Sequence, residues 1–219
     1  MRKVFLSSIF LNDLKNYGNY YSNELKMSKE PKKFFVSHII DSNIEQGDEV
    51  VIITNIPGKV KNEVSKKSFN LIAADNYNFF KQEVMQIMES HCISEEKVTF
   101  IEVVGDSEFS TMSCHTFFKK VAFELKEDDV LYIDITFGMK PYTFSMFIAA
   151  AYAVKAAMNI KVALVAYAER YDGSDSTLKE KSIGYDLTSL FYLNEIAGNV
   201  EKGNKESTDK VFDVLISWL

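Results

Sequence analysis

The stretch "VLYIDITFGMKPYTFSMFIAAAYAV", residues 130–154, decides the fold, because it runs from an apolar strand directly into an apolar helix. Its first seven residues, Val130 to Thr136, are mostly apolar and rich in β-branched side chains, without clean alternation, as is typical of a strand covered on both faces. Gly138 and Pro141 suit a turn that leads into a helix, with Pro141 expected at the first helical position. Lys140 stands between them, and the backbone alone gives no reason for a lysine at this position.

Working outward, short apolar runs and helical patterns alternate along the chain. The predicted strands are 2–6, 49–54, 98–104, 130–136 and 160–167, and the helical patterns cover 31–46, 76–91, 110–125 and 141–157. Ser110 is the expected cap of the third helix. Such alternation is typical of right-handed βαβ units. We therefore predict an α/β fold, a Rossmann-like and mostly parallel sheet flanked by helices, in which the apolar 141–157 helix is the most buried.

The last third of the chain changes character after residue 167. A polar loop at 169–182 leads into "IGYDL" at 183–187, which with 163–167 predicts a hairpin at the sheet edge, followed by a short helix ending at Gly198. Residues 199–210 are typical of a solvated linker, and the apolar 210–219 predicts a C-terminal helix. This predicts one Rossmann-like domain at 1–198 and a linker with a short helical tail at 199–219. The tail helix would dock on the domain, pack on a partner, or begin a second domain.

Composition limits the classes of partner. The chain carries 25 basic and 31 acidic residues, a net charge of −6, so no broad basic face is expected for duplex nucleic acid. The longest apolar run, Phe144 to Val154, is too short to span a bilayer, and the first residues do not form a signal peptide. Two cysteines are too few for a disulfide scaffold, which favours a reducing, cytoplasmic location. One compact anionic ligand remains compatible with this composition.

Topology predicts where such a ligand would bind. Parallel α/β sheets place ligand sites beyond the carboxyl ends of strands, where the strand order reverses. In a Rossmann-like order this point lies between the first strand, followed by Ser7 and Ser8, and the fourth, followed by Thr136 to Lys140. Gly138 permits close backbone approach, the helix N-terminus carries partial positive charge, and Lys140 adds a full charge. Serine hydroxyls and a lysine beside a helix N-terminus predict a phosphate site; the alternative is that Lys140 is a solvated turn residue.

Other motifs are weaker. The chain has no G-x-G-x-x-G after the first strand and no G-x-x-x-x-G-K-[ST], which argues against dinucleotide and P-loop sites. The pairs His91-Cys92 and Cys114-His115 lack the usual zinc spacing, so no metal is expected. Ser8, His38 and Asp41 could be drawn as a catalytic triad, but no nucleophile elbow accompanies them. Asp134 is expected to hold neighbouring loop amides rather than to act as an acid or base.

Several segments are similar to one family. The stretches "VFLSSIFLND", "VVIITN", "LYIDITFGMKPYTFSMFIAAAYA", "ALVAYAE" and "YDLTSLFYLNE" resemble the CARF domain, the CRISPR-associated Rossmann fold. The resemblance is to the branch with a "DIT-x-G" motif and a downstream "DLT", and it covers roughly residues 1–198. This chain has Phe137 where that branch usually has histidine, and Lys140 where arginine or lysine is common.

The resemblance implies a homodimeric sensor of cyclic oligoadenylates, the second messengers of type III CRISPR defence, with cyclic tetra-adenylate favoured. In the family the ligand lies across the dimer two-fold axis, contacted by the loop after the first strand and by the fourth-strand loop. Carried over by position, the ligand-binding residues are Ser7, Ser8, Ile9, Thr136, Phe137, Gly138, Met139 and Lys140. No cofactor and no metal is implied.

The family also implies an activity. CARF domains usually control an attached effector such as a nuclease, but nothing of effector size follows residue 198. The R-x4-6-H nuclease signature is not found there either, because no histidine follows Arg170, the last arginine. The chain thereby resembles the standalone ring nucleases, in which a substrate 2′-OH attacks the adjacent phosphorus without metal. Lys140 would stabilise the developing charge and Ser8 would orient the phosphate or ribose, which makes these two the expected catalytic residues. The alternatives are a binding-only sensor of a larger effector, or an unrelated Rossmann-like nucleotide-binding enzyme.

Overall fold

The computed structural model describes residues 1–10, 20–56, 66–104, 111–156, 159–170, 182–198, 205–206, 209–210 and 213. Several predicted features lie outside these residues. They are the Ser110 cap, most of the polar 169–182 loop, residues 199–204 of the linker, and nearly all of the 210–219 tail helix.

In the described residues the elements follow one another as an α/β chain. They are β1 (Arg2–Ser8), β2 (Tyr20–Tyr21), α1 (Phe35–Asn43), β3 (Glu49–Ile56), α2 (Lys66–Ser90), β4 (Val98–Val104), α3 (Thr111–Glu124), β5 (Val130–Asp134), α4 (Lys140–Ala156), β6 (Lys161–Arg170), β7 (Ser182–Asp186) and α5 (Thr188–Gly198), with a 3-10 turn at Glu95–Lys97. The strands form one sheet in the order β2-β7-β6-β5-β1-β3-β4. Strand β1 lies parallel between β3 and β5, so the first and the DIT-bearing strands are neighbours, as topology predicted.

The predicted fold class is confirmed: the sheet is mostly parallel, flanked by helices and Rossmann-like. Strands β6 and β7 form the predicted antiparallel pair. The hairpin is not the edge of the sheet, however, because β2 pairs with the outer side of β7. A strand of two residues has no periodic pattern, so the sequence does not reveal it.

The core lies on both faces of the sheet, because side chains of β1 point alternately to each. Val4 and Leu6 face α3, α4 and α5, where they join one apolar cluster. Phe5 faces α1 and α2, where it stacks on Tyr132 with ring centroids 4.8 Å apart. We call these the α4 face and the α1/α2 face. Each is buried in its interior, as expected for a doubly covered sheet.

Helix α4 corrects one prediction. It is apolar nearly all round and was expected to be the most buried helix, yet only eight of its 17 residues are buried, against six of nine in α1. Phe144, Ile148 and Tyr152 are exposed and follow one another at four-residue spacing. This spacing places them in one row along the helix, since residues i and i+4 share a face. We call them the α4 row.

No helix in the described ranges is long and apolar enough to cross a bilayer.

Candidate functional site

The loops after β1 and β5 meet at the carboxyl end of the sheet. A Cβ atom built on Gly138 would lie 2.5 Å from Ser8 Oγ and 2.6 Å from Ser8 Cβ. Gly138 also has φ of +99°, a conformation that side chains rarely adopt. Two residues span only about 7 Å of chain, so Lys140 also lies well within 20 Å of Ser8. The structure therefore brings together the two loops that the sequence singled out.

Asp134 and Thr136 fix the turn that leads to Gly138. The Thr136 amide donates a hydrogen bond of 2.9 Å to Asp134 Oδ1, and Thr136 Oγ1 accepts one of 2.9 Å from the Ala168 amide. The first bond confirms that Asp134 holds a loop amide. Burial raises the pKa of Asp134 to about 6, although hydrogen bonds from the Thr136 side chain and amide lower it. The Thr136 side chain thus ties the loop to β6.

Lys140 occupies the first residue of α4. The Met139 carbonyl accepts hydrogen bonds from the amides of Tyr142 and Thr143, so Met139 caps the helix and Pro141 is its second residue rather than its first. Lys140 is exposed and forms no ion pair within the described part of the chain. Its Nζ lies 5.8 Å from the centre of the Tyr167 ring. An unpaired cation beside a helix N-terminus favours an anion at this position.

Ser7 and Ser8 point to opposite sides of the sheet. Ser8 lies on the α4 face against Gly138, and its Oγ accepts a hydrogen bond of 3.3 Å from Asn55 Nδ2. The alternation of β1 puts Ser7 on the α1/α2 face, where it is 1% exposed and its hydroxyl has no partner among the described residues. The crevice between the β1 and β5 loops at the carboxyl end of the sheet therefore contains the hydroxyl of Ser8, which is itself 4% exposed, and not that of Ser7.

Three other residues carried over from the resemblance differ in what they expose. Ile9 is buried in the α1/α2 face, while its amide donates to the Asn55 carbonyl. Phe137, which stands where the family usually has histidine, packs on Phe10 with ring centroids 4.8 Å apart. Met139 is 42% exposed. At the site, Met139 and Lys140 therefore present side chains to solvent, whereas Ile9 and Phe137 chiefly support the loops.

The drawn triad of Ser8, His38 and Asp41 does not form. Neither ring nitrogen of His38 has a hydrogen-bond partner within the described residues, and Asp41 instead contacts His91 at 2.8 Å. His91 is thus held by a carboxylate. Among the described residues, no group of three His, Cys, Asp or Glu side chains could hold a metal.

The sequence did not single out two neighbours of the site, Asn55 and Tyr167. Asn55 orients Ser8 from β3, where the register pairs the two residues. Tyr167 reaches the α4 face because the β5–β6 register shifts between Leu131 and Tyr132, which adds one residue to β6. A bulge reverses the face of every later side chain in its strand. If the position of the bulge is not known, simple alternation along β6 places Tyr167 on the α1/α2 face, which is the wrong side of the sheet.

No model of a known protein family matches the chain, and no curated protein is significantly similar to it in sequence.

Proposed function

We propose that this protein binds cyclic oligoadenylate messengers, with cyclic tetra-adenylate as the favoured ring, and cleaves them as a metal-independent ring nuclease of type III CRISPR defence. The observation that carries the proposal is the contact of Gly138 with Ser8, which sets Lys140 beside the end of β1. The identity of the messenger rests on the resemblance of "DITFG" and "DLT" to the CARF family.

Charge supports an anionic ligand at this crevice. Lys140 is a cation without an acidic partner in the described residues, and it adds to the partial positive charge of the α4 N-terminus. Elsewhere on the same helix Lys155 is paired with Glu195 at 3.2 Å. The two lysines of α4 therefore differ, and only the one at the crevice keeps its charge available for a phosphate.

Cleavage would use the ribose 2′-OH of the substrate as nucleophile. The 2′-OH loses its proton to water as its oxygen attacks the adjacent phosphorus. The 5′ oxygen of the next nucleotide leaves and takes up a proton from water, and a 2′,3′-cyclic phosphate remains. Lys140 would stabilise the added charge on the phosphorane, where electrostatic stabilisation has its largest effect. Because Asn55 donates to Ser8 Oγ, the Ser8 hydroxyl proton is left to orient a phosphate oxygen.

Two copies would share one ring. A cyclic ligand with two-fold symmetry fits an isologous dimer in which both crevices face the same molecule. The α4 row supplies an exposed apolar surface that begins one turn after Lys140. We place the second copy on this side, so that titration should give one ring per two chains.

Lys140→Ala tests the proposal. The variant loses a charge-assisted contact worth about 1.5–3 kcal/mol, so affinity for cyclic tetra-adenylate should fall about 10- to 150-fold. Single-turnover cleavage with EDTA present should fall further, since the phosphorane carries more charge than the diester. Ser8→Ala should slow cleavage more than it weakens binding. Lys155→Ala, at the other end of α4, is the matched control and should leave both unchanged.

The outcomes separate the candidate functions. Tight binding without cleavage by the wild-type protein would leave a binding-only sensor. No thermal stabilisation by cyclic tri-, tetra- or hexa-adenylate, with cyclic dinucleotides as controls, would reject cyclic oligoadenylates and favour an unrelated Rossmann-like enzyme. Cleavage that survives Lys140→Ala unchanged would place the chemistry on another residue.

A further inference from the structure

A pocket of about 400 Å³ opens beside Lys140, between α4 and β6. It is lined by Ile135, Lys140, Thr143, Phe144, Phe147 and Tyr167. Its volume falls in the range of about 300–1,000 Å³ that small-molecule sites occupy. The lining is aromatic and aliphatic with few polar groups, and Thr143 Oγ1 already donates to the Phe137 carbonyl at 3.3 Å. What the pocket offers a ligand is aromatic surface and one cation.

The aromatic side chains are held in place from behind. Tyr167 stacks on Tyr185 of the neighbouring β7, with ring centroids 6.5 Å apart and an interplanar angle of 20°. Phe147 packs edge to face on Phe191 of α5 at 5.2 Å. Phe191 is completely buried, so Phe147 rests on the core. The pocket walls are therefore built before a ligand arrives, which limits the entropy lost on binding.

We infer that this pocket is a purine-binding subsite of the crevice, in which Tyr167 and the two phenylalanines stack a base of the ring whose phosphate lies at Lys140. This inference rests on the proposed function and adds the part of the ligand that the β1 and β5 loops do not contact. Aromatic side chains recognise the π-face of a base, and Lys140 lies where the pocket meets the helix N-terminus. The larger face of a purine gains more from stacking than a pyrimidine does.

Two rings with the same phosphates and different bases test the inference. Affinities for cyclic tetra-adenylate and cyclic tetra-uridylate are measured for the wild type, Tyr167→Ala, Tyr167→Phe and Lys140→Ala. Stacking is worth about 1–3 kcal/mol per base, so Tyr167→Ala should weaken adenylate binding about 5- to 140-fold. It should weaken uridylate binding less, because the smaller face of a pyrimidine gains less from stacking. Tyr167→Phe keeps the ring and should retain the preference. Lys140→Ala should weaken both rings equally.

Further variants guard against misfolding. Phe144→Ala removes a side chain that is 66% exposed, so it should preserve the fold and still reduce the adenylate preference. Phe79→Ala, an exposed aromatic on the α1/α2 side, is the matched control and should bind as wild type.

Each result is decisive. Equal weakening of both rings by Tyr167→Ala, or none, overturns the base subsite while leaving the proposed function standing. Loss of dimerisation without loss of base preference overturns it as well and assigns the pocket to the interface between copies. A wild-type protein that binds neither ring rejects the proposed function, and the subsite with it.

Discussion

On the α1/α2 face of the sheet, Phe34, Phe35 and Phe80 are at most 3% exposed, whereas on the α4 face Phe144 is 66% exposed. Both faces are covered by apolar helices, and both have a continuous apolar cluster against the sheet. The difference lies in the outer side of the covering helices. Helix α4 carries a second apolar side, the α4 row, whose side chains stay 39–66% exposed although Tyr152 packs edge to face on Phe118.

Buried ionisable groups show the same asymmetry. Asp134, which is 1% exposed, and His38, which is 3% exposed, lie within the sheet and the α1/α2 layer. Lys140 lies at the solvent end of the α4 layer. The α1/α2 face therefore carries charge-sensitive groups that affect stability, while the α4 face carries the groups that a ligand can reach. This division is why we assign binding to the α4 side of the crevice.

The comparison predicts a large difference between two phenylalanines. Phe80→Ala leaves a cavity beside Phe34 on the α1/α2 face and should lower the free energy of unfolding by about 3–5 kcal/mol. In the monomer, Phe144→Ala removes an exposed ring and should change the free energy of unfolding by less than about 0.5 kcal/mol. Urea denaturation of both variants at one protein concentration measures the contrast.

An equal loss of unfolding free energy in the two variants would contradict the contrast between the buried α1/α2 face and the exposed outer side of α4. A cost of Phe144→Ala that grows with protein concentration would show that a second copy covers the α4 row, as in the proposed dimer, since oligomer stability depends on concentration.

The sequence predicts most of the framework because its apolar runs are bounded by polar residues. Strand β4 and helix α5 occupy the predicted residues, 98–104 and 188–198. Helix α2 begins at Lys66, ten residues before its predicted start at residue 76. Strand β2 is too short for any pattern. Periodicity identifies long elements, whereas tertiary contacts decide short ones and the ends of the others.

The site is predictable to the level of loops and not of side chains. Topology alone brings the ends of β1 and β5 together, because β1 and β5 are parallel neighbours. It does not tell which of Ser7 and Ser8 faces the ligand, because a strand buried on both faces has no polar alternation. Tyr167 depends on a bulge, and bulges have no simple sequence pattern. In both cases the orientation of the side chain is decided by packing and not by the pattern of residue types.

Two buried groups on the α1/α2 face, Asp134 and His38, should change stability in opposite directions as the pH rises. Burial raises the pKa of Asp134 from 3.8 to about 6, so between these pH values the folded state holds a proton that the unfolded state has released. The free energy of unfolding therefore falls as the pH rises from about 4 to 6. Burial, with nearby Lys32, lowers the pKa of His38 from 6.5 to about 4, so between these pH values the unfolded state holds a proton that the folded state has released. The free energy of unfolding therefore rises as the pH rises from about 4 to 6.5. Each effect amounts to about 3 kcal/mol at 1.36 kcal/mol per pKa unit.

In the wild type the two effects largely cancel, and single variants should separate them. Asp134→Asn should make stability rise from pH 4 to 6.5, and His38→Phe should make it fall from pH 4 to 6, each by up to about 3 kcal/mol. Asp41 and Asp48 have pKa values below 3.8 and act at lower pH. The measurement is the denaturation midpoint at four pH values. Parallel curves for the variants and the wild type would show that neither group is charge-sensitive in the fold.

The smallest predicted effect sharpens the description of the crevice. Gly47 and Gly138 both have φ of +99°, but a Cβ atom at Gly47 would meet nothing within 4 Å. Both Gly→Ala variants bear the backbone strain, and Gly138→Ala alone adds the overlap with Ser8, which should cost about 1–3 kcal/mol more than Gly47→Ala. Ser8→Gly removes both overlapping atoms, so in that background the extra cost of Gly138→Ala should vanish. If Gly138→Ala still costs more than Gly47→Ala in the Ser8→Gly background, the added Cβ atom must overlap with a residue other than Ser8.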